Sequence, residues 1–246
     1  MLSASTLWYV DTPDPAAVLC GRPEPDPAAA AALAGQLYAE HDVRAIMIGT
    51  LNGCAAPDRN EVYIGCYPGL TVVCTAEAAL VRPTKLPDLL VRPLASEHTY
   101  LVSFDATLRW GAFAHWERGE FRRSFSSTRV DILENEGLPM VWERPFWAGD
   151  HPVPWQPGDR PEPQSLPFDP PAFADAANDE WLGFRYRTQA APGGLVPGDL
   201  AVCGFTLYPK GQAPQPPSLV QADSPGAATR RKRGLFGWLH RTDRVL

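Results

Sequence analysis

A group of aromatic and ionisable residues in the middle of the chain is the first place to look for a ligand site. Trp147 and Trp155 lie beside glycine or proline in expected loops, and Arg144, Asp150 and His151 are their neighbours. Aromatic side chains favour small-molecule pockets and partner grooves. These five residues are the predicted ligand-binding site, and core packing of the two tryptophans is the competing interpretation.

Cys66 is the cysteine with most room for chemistry, because Gly65 and Gly69 flank it. A nucleophilic thiol needs a lowered pKa and a partner base such as histidine. No motif places a histidine next to it; the candidates are His41, His98, His115 and His151. Ile64 and Tyr67 are apolar neighbours, so we favour a small core residue over a nucleophile.

Four carboxylates lie near one predicted hairpin, and paired carboxylates can perform acid–base work or bind a hard cation. They are Asp131, Glu134, Glu136 and Glu143. Their spacing does not match a calcium loop, so a solvated acidic turn is the preferred interpretation. The five cysteines contain no C-x-x-C pair. We therefore expect free thiols, no metal site and no cofactor.

The C-terminus combines basic and apolar side chains in a pattern typical of a peripheral membrane segment. The basic run is Arg230, Arg231, Lys232 and Arg233, and the apolar residues are Leu235, Phe236, Trp238 and Leu239. A helix would place these apolar residues on one face, as in segments that lie in a membrane interface. It is similar, in the tail only, to C-terminal targeting helices of bacterial cell-division ATPases. The competing hypothesis is a disordered tail that docks on its own acidic body.

Charge is divided unevenly along the chain. Residues 210–246 contain seven basic and two acidic residues, whereas residues 1–209 contain 15 basic and 26 acidic residues. An acidic body repels nucleic acid, and a basic tail attracts anionic surfaces. No apolar run is long enough to span a membrane and no export signal precedes the first strand, so we expect a cytoplasmic protein.

These side chains must be positioned by short, mainly extended elements. The apolar patterns predict strands at 7–10, 43–51, 61–67, 70–75, 99–104, 109–117, 120–126 and 199–208. They predict helices at 28–40, 84–90 and 173–184. Residues 140–147 are apolar and aromatic, but Pro145 restricts them to an edge strand or a loop. Strands outnumber helices, which favours an α+β domain with a mixed, largely antiparallel sheet.

The clearest local signal is a hairpin around Arg118-Gly119. A two-residue loop pairs Trp116 with Phe121 and Ala112 with Phe125. A bulged loop would shift this pairing by one residue.

Residues 58–69 contain Glu61-Val62-Tyr63-Ile64-Gly65-Cys66-Tyr67-Pro68-Gly69 and lead into Val72-Val73-Cys74-Thr75. Three later segments belong to the same pattern. They contain Trp116, Gly119, Arg123, Ser124 and Ser126, then Glu136-Gly137, and then Trp142 to Gly149. Together these segments resemble a family of uncharacterised actinobacterial proteins over roughly residues 5–185. The resemblance implies one intact domain and no known activity. The proline-rich stretch and the basic tail depart from the family pattern.

These patterns predict three parts: an α+β domain at 1–209, a flexible linker at 210–229 and a basic amphipathic tail at 230–246. The predicted function is binding of a protein or small ligand without catalysis, with tethering to the inner membrane face through the tail. The alternative is an enzyme, such as a hydrolase, with its site near Trp147 and His151. A cavity lined by a histidine with a carboxylate or thiol partner would favour the enzyme.

Overall fold

The structure is a computed structural model that describes residues 3–153, 163–187 and 194–214. Residues Met1–Ala213 form one compact unit. Trp155, one of the five residues of the predicted ligand site, lies outside the described residues. The predicted basic tail at 230–246 lies outside them as well. Within the described ranges, the helices are too short or too polar to cross a bilayer.

A nine-stranded sheet forms the centre of the domain. Its strands are β1 Ser3–Val10, β2 His41–Thr50, β3 Glu61–Tyr67, β4 Leu70–Thr75, β5 His98–Asp105, β6 Trp110–Glu117, β7 Glu120–Ser127, β8 Ile132–Gly137 and β9 Ala201–Pro209. The spatial order is β2-β9-β3-β4-β1-β5-β6-β7-β8, and every neighbouring pair is antiparallel. The predicted α+β domain with a largely antiparallel sheet is confirmed, and the described part of the chain contains no parallel strand pair.

Six helices accompany the sheet in the described residues. They are α1 Pro15–Cys20, α2 Pro27–Leu37, α3 Leu51–Cys54, α4 Asp88–Val91, α5 Arg144–Ala148 and α6 Pro170–Leu182. Short 3-10 turns occur at Ala76–Ala78, Pro83–Lys85, Val141–Glu143 and Pro197–Asp199.

The two longest helices cover opposite faces of the sheet. In β1, Leu7 and Tyr9 pack with Leu33 of α2, while the alternate residue Trp8 packs in the cluster that contains Leu182 of α6. Successive side chains of a strand point to opposite faces, so both sets of apolar residues are buried. This explains why the second half of β1, Leu7 to Val10, is apolar without interruption rather than alternating.

Asp-Pro pairs start three of the helices, α1, α2 and α6. Asp26 accepts hydrogen bonds from the amides of Ala28 and Ala29 at 2.8 and 3.1 Å. Asp14 likewise starts α1, a short helix that is not among the predicted ones, by accepting a hydrogen bond from the amide of Ala17 at 2.9 Å. An aspartate cap satisfies otherwise unpaired amides, and proline at the first helical position has the required φ.

The central hairpin confirms the predicted turn and corrects part of the register. Arg118 and Gly119 have φ of 52° and 84°, typical of a type I′ turn, and Trp116 faces Phe121. Beyond this pair, Ala112 faces Ser126 rather than Phe125. Arg122 is an additional residue in β7, and this β-bulge shifts the remaining pairs by one position.

Two segments after the hairpin differ from expectation. Residues 132–137 form the edge strand β8, which was not predicted because its glutamates hide the strand pattern. Residues 140–147 are helical rather than extended, forming Val141–Glu143 and most of α5. Pro145 lies in the first turn of α5, where its missing amide hydrogen costs nothing.

Candidate ligand-binding site

A cavity of about 600 Å³ lies at one end of β1 and β5, next to α1 and α6. Its wall comprises Val10, residues 12–16, His98, Tyr100, residues 140–142, residues 179–181 and Gly183. Binding pockets for small molecules usually have volumes of about 300–1,000 Å³. The cavity is therefore large enough to hold a small organic molecule.

Aromatic rings from the sheet and from α6 form one side of this cavity. Tyr100 stacks on Trp181 with ring centroids 4.4 Å apart and planes 12° apart. His98 stacks on Tyr100 at 5.6 Å and 13°. His98 and Tyr100 are two residues apart in β5, so both point to the face of the sheet that α6 covers.

A second histidine joins this stack from the neighbouring strand. Tyr100 lies opposite His115 in the register of β5 and β6, and His98 Nδ1 lies 3.1 Å from His115 Nε2. Burial, followed by the proximity of His98, lowers the pKa of His115 to about 4. His115 is therefore an uncharged imidazole at neutral pH.

Acidic side chains complete the cavity wall. Asp14, Asp179 and Glu180 line it, and its described lining includes neither lysine nor arginine. Asp179 is paired with Arg185 at 2.9 Å. Burial, with a smaller contribution from Glu117, raises the pKa of Tyr100 to about 12, so its phenol stays protonated.

A smaller cavity of about 290 Å³ shares Trp142, Asp179 and Glu180 with the first. His151 lines this smaller cavity, and its ring stacks on Phe146 at 4.1 Å and 27°. The two cavities are therefore neighbours with a common wall.

The structure describes four of the five residues proposed from the sequence, and one of these four lines a cavity in this region. His151 does so, whereas Arg144 and Asp150 are exposed. Trp147 packs edge-on against Phe168 and Phe125 at 5.0 and 5.6 Å, within an aromatic core cluster. The structure does not bring the four described residues together in one site, and the role of all five in ligand binding stays a prediction.

Sequence reasoning missed His98, Tyr100 and Trp181 as a group. A usable signal was present for the first two, because residues 98–105 and 110–117 are separated by a short loop. Pairing these segments as a hairpin places Tyr100 opposite His115. Trp181 gave no such signal, because only the packing of α6 on the sheet brings it there.

Three other reactive side chains singled out in the sequence, those of Cys66, Glu134 and Glu143, are half-buried or buried in the fold. Cys66 is half-buried, and burial raises the pKa of its thiol, which opposes nucleophilic reactivity. Glu134 accepts a hydrogen bond from the amide of Thr84 at 3.0 Å, and Glu143 pairs with Arg123. In the described parts of the chain, histidine, cysteine and acidic residues form no cluster of three that could hold a metal ion.

Another cavity of about 600 Å³ lies at the opposite end of β1 and β5. Its lining is mainly apolar, and Asp105 is its one charged residue. The Asp105 carboxylate accepts hydrogen bonds from the amides of Thr107 and Leu108 at 2.8 and 2.9 Å. It therefore offers a ligand fewer convergent polar groups than the aromatic cavity does.

Fold and cavity define a single-domain α+β protein whose antiparallel sheet has an aromatic cavity at one end. The chain belongs to a family of unknown function, DUF6928, which it matches over residues 4–205. The resemblance to a family without known activity is thereby confirmed. No curated protein and no solved structure matches the chain.

Proposed function

We propose that this domain binds a small planar molecule in the aromatic cavity and does not catalyse a reaction. One observation carries the proposal: His98, Tyr100 and Trp181 stack nearly parallel in the wall of the cavity. Interactions between aromatic rings contribute about 0.5–1.5 kcal/mol beyond area burial. A flat ligand can extend such a stack, and Trp142 provides a further aromatic surface.

The hydrogen-bonding of the histidines favours binding over catalysis. In the described residues, His98 and His115 bond to each other, and neither has a carboxylate or thiol partner. A general base works best with a pKa near the working pH, and the pKa of His115 is about 4. An enzyme site near Trp147 and His151 remains the alternative hypothesis.

A matched pair of substitutions tests the cavity directly. Ala16 is half-buried in the wall of the aromatic cavity, whereas Ala79 is exposed beside the apolar cavity. We expect Ala16→Trp to fill the aromatic cavity and Ala79→Trp to leave it open. Ligand-observed NMR with a library of planar fragments should show hits that bind the wild type and Ala79→Trp, and that lose at least tenfold in affinity, about 1.4 kcal/mol, in Ala16→Trp.

The folded state of each variant is checked by its circular dichroism spectrum and thermal unfolding. Trp181→Ala, which removes the stacking surface without filling the cavity, should weaken the same hits. Hits that bind Ala16→Trp as well as the wild type would contradict the proposal. A library that yields no hits on the wild type would contradict it as well.

The C-terminal sequence supports a second proposal, reversible attachment to an anionic membrane at its cytoplasmic face. Each of the basic residues at 230–233 contributes about 1 kcal/mol near an anionic leaflet. Each buried large apolar side chain, such as Trp238, contributes roughly 1.5–3 kcal/mol. Gly234 and Gly237 oppose helix formation by about 1 kcal/mol each, so the attachment is reversible.

A further inference from the structure

We propose that the ligand of the aromatic cavity is an organic cation, such as a planar amidinium or guanidinium group. The inference rests on the proposed binding function and concerns the charge of the ligand. Its basis is the juxtaposition of tryptophan and tyrosine rings with acidic side chains in one wall, together with the lack of a lysine or arginine among the described lining residues.

The carboxylates in the wall differ in how far their charge is compensated. Asp179 is neutralised by Arg185, whose side chain lies 2.9 Å away. Asp14 accepts a hydrogen bond from the amide of Ala17 but has no cationic partner in the described residues. Glu180 is exposed and forms neither a hydrogen bond nor an ion pair there. The wall therefore retains negative charge from Asp14 and Glu180.

The aromatic geometry suits the same kind of ligand. The rings of Trp142 and Trp181 are nearly perpendicular, at 87°, with centroids 6.2 Å apart. The face of an aromatic ring carries partial negative charge and attracts a cation within about 6 Å, most strongly for tryptophan. The two perpendicular indoles therefore offer a cation two such surfaces in the cavity wall.

Anionic and neutral ligands fit the charges of this cavity less well than a cation does. An anion would approach Asp14 and Glu180 without a basic lining residue to offset their repulsion, and like charges brought together are costly. A neutral ring can stack but gains nothing from the carboxylates. The acidic excess of residues 1–209 also increases the rate at which cations approach.

Benzamidinium, benzamide and benzoate provide a matched test, because they share one ring and differ in charge. Their affinities for the full-length protein are measured by ligand-observed NMR at low salt. We expect benzamidinium to bind about fivefold more tightly than benzamide, as one favourable exposed charge pair allows, and benzoate to bind most weakly. Added salt should reduce the preference, because it screens exposed charges.

Variants that neutralise Asp14 and Glu180 test whether these carboxylates cause the preference for benzamidinium over benzamide. Asp14→Asn keeps a side chain that can cap α1, and Glu180→Gln changes an exposed residue, so both should preserve the fold. The double variant should reduce the preference for benzamidinium over benzamide at least about twofold, and the aromatic rings account for the preference that remains. Glu40→Gln, at an exposed carboxylate outside the lining of this cavity, should keep the full preference.

The outcomes separate the ligand charge from the binding site. Equal affinities of benzamidinium and benzamide, both lost in Ala16→Trp, would overturn the cationic assignment and leave the cavity as a binding site. A preference of the same size in Ala16→Trp as in the wild type would also overturn it, because the preference would then not arise in this cavity. If the three compounds and the fragment library all fail to bind, both the assignment and the proposed function are wrong.

Discussion

His98 Nδ1 lies 3.1 Å from His115 Nε2, so a hydrogen bond between two imidazoles joins β5 to β6 beside the aromatic cavity. One ring nitrogen must donate and the other must accept, which requires at least one neutral imidazole. Burial favours this state for His115, since it lowers the pKa of that residue to about 4. The pair therefore connects protonation to the stability of the sheet.

The first prediction concerns pH and stability. The pKa of His115 is about 4 in the folded protein and 6.5 as its ordinary value, so between these values the unfolded chain binds more protons. The free energy of unfolding should therefore fall as pH is lowered from 6.5 towards 4, by at most about 1.4 kcal/mol per pH unit from this group. Urea unfolding at several pH values should show a smaller slope for His115→Gln than for the wild type.

Unfolding of the wild type and His115→Gln at pH 8 provides the control, because His115 is neutral in both the folded and the unfolded state there. Its contribution to the free energy of unfolding then does not change with pH. His115→Gln is expected to shift stability at pH 8 by a constant amount only. An unchanged slope between pH 6.5 and 4.5 would show that His115 is not the group responsible.

The second prediction concerns the buried ion pair between Arg123 of β7 and Glu143, which precedes α5. Their atoms lie 2.8 Å apart, and the side chains are 1% and 0% exposed. Removing one partner leaves the other charge buried, so Glu143→Gln should lower the free energy of unfolding by about 3–5 kcal/mol. Replacing both, as Arg123→Met with Glu143→Leu, should restore much of this loss.

An exposed ion pair provides the matched control. Arg22 and Asp199 are also 2.9 Å apart, but their side chains are 60% and 30% exposed. Asp199→Asn should therefore change stability by at most about 1 kcal/mol. Equal losses for Asp199→Asn and Glu143→Gln in urea unfolding would rule out burial as the source of the difference.

The third prediction compares the effects of two glycine-to-alanine substitutions on the stability of the protein. A Cβ at Gly111 would lie 2.1 Å from the carbonyl oxygen of Pro170, where β6 meets the start of α6. Gly111→Ala should therefore separate strand and helix and cost at least about 1–3 kcal/mol, as overpacking does. Gly35 lies in α2 with open space around it, so Gly35→Ala should stabilise by roughly 0.5–1 kcal/mol.

Thermal unfolding measures both effects, because the melting temperature should fall for Gly111→Ala and rise for Gly35→Ala. A small effect of the same sign in both proteins would contradict the close contact between Gly111 and Pro170.

The fourth prediction tests the C-terminal segment in the full-length protein. The full-length protein should sediment with vesicles that contain phosphatidylglycerol and not with vesicles of phosphatidylcholine alone, because the basic run at 230–233 needs anionic lipid. Arg231→Glu with Arg233→Glu should remove this binding, and Trp238→Ser should weaken it at unchanged charge. Gln221→Glu adds a negative charge outside the basic run and serves as the control. Equal sedimentation of wild type and double variant would exclude membrane attachment through this run.

Local features of the fold could be predicted from the sequence because they depend on neighbouring residues. Pro68-Gly69, a pair typical of a tight turn, forms one between β3 and β4, with Gly69 at φ 69°, a conformation that glycine adopts without strain. Asp26-Pro27 starts α2 for equally local reasons. The register beyond Trp116 could not be predicted in this way, since the bulge at Arg122 depends on how β7 pairs with its neighbours.

The sequence by itself determined the α+β class, the turn at Arg118-Gly119 and the partition of charge, since these follow from residue types and short spacings. Tertiary structure decided the candidate site. Tyr100 and Trp181 are far apart in the chain and stack at 4.4 Å because α6 packs across β5 and β6. Such a contact depends on which faces of helix and sheet are buried together, and no local pattern encodes that choice.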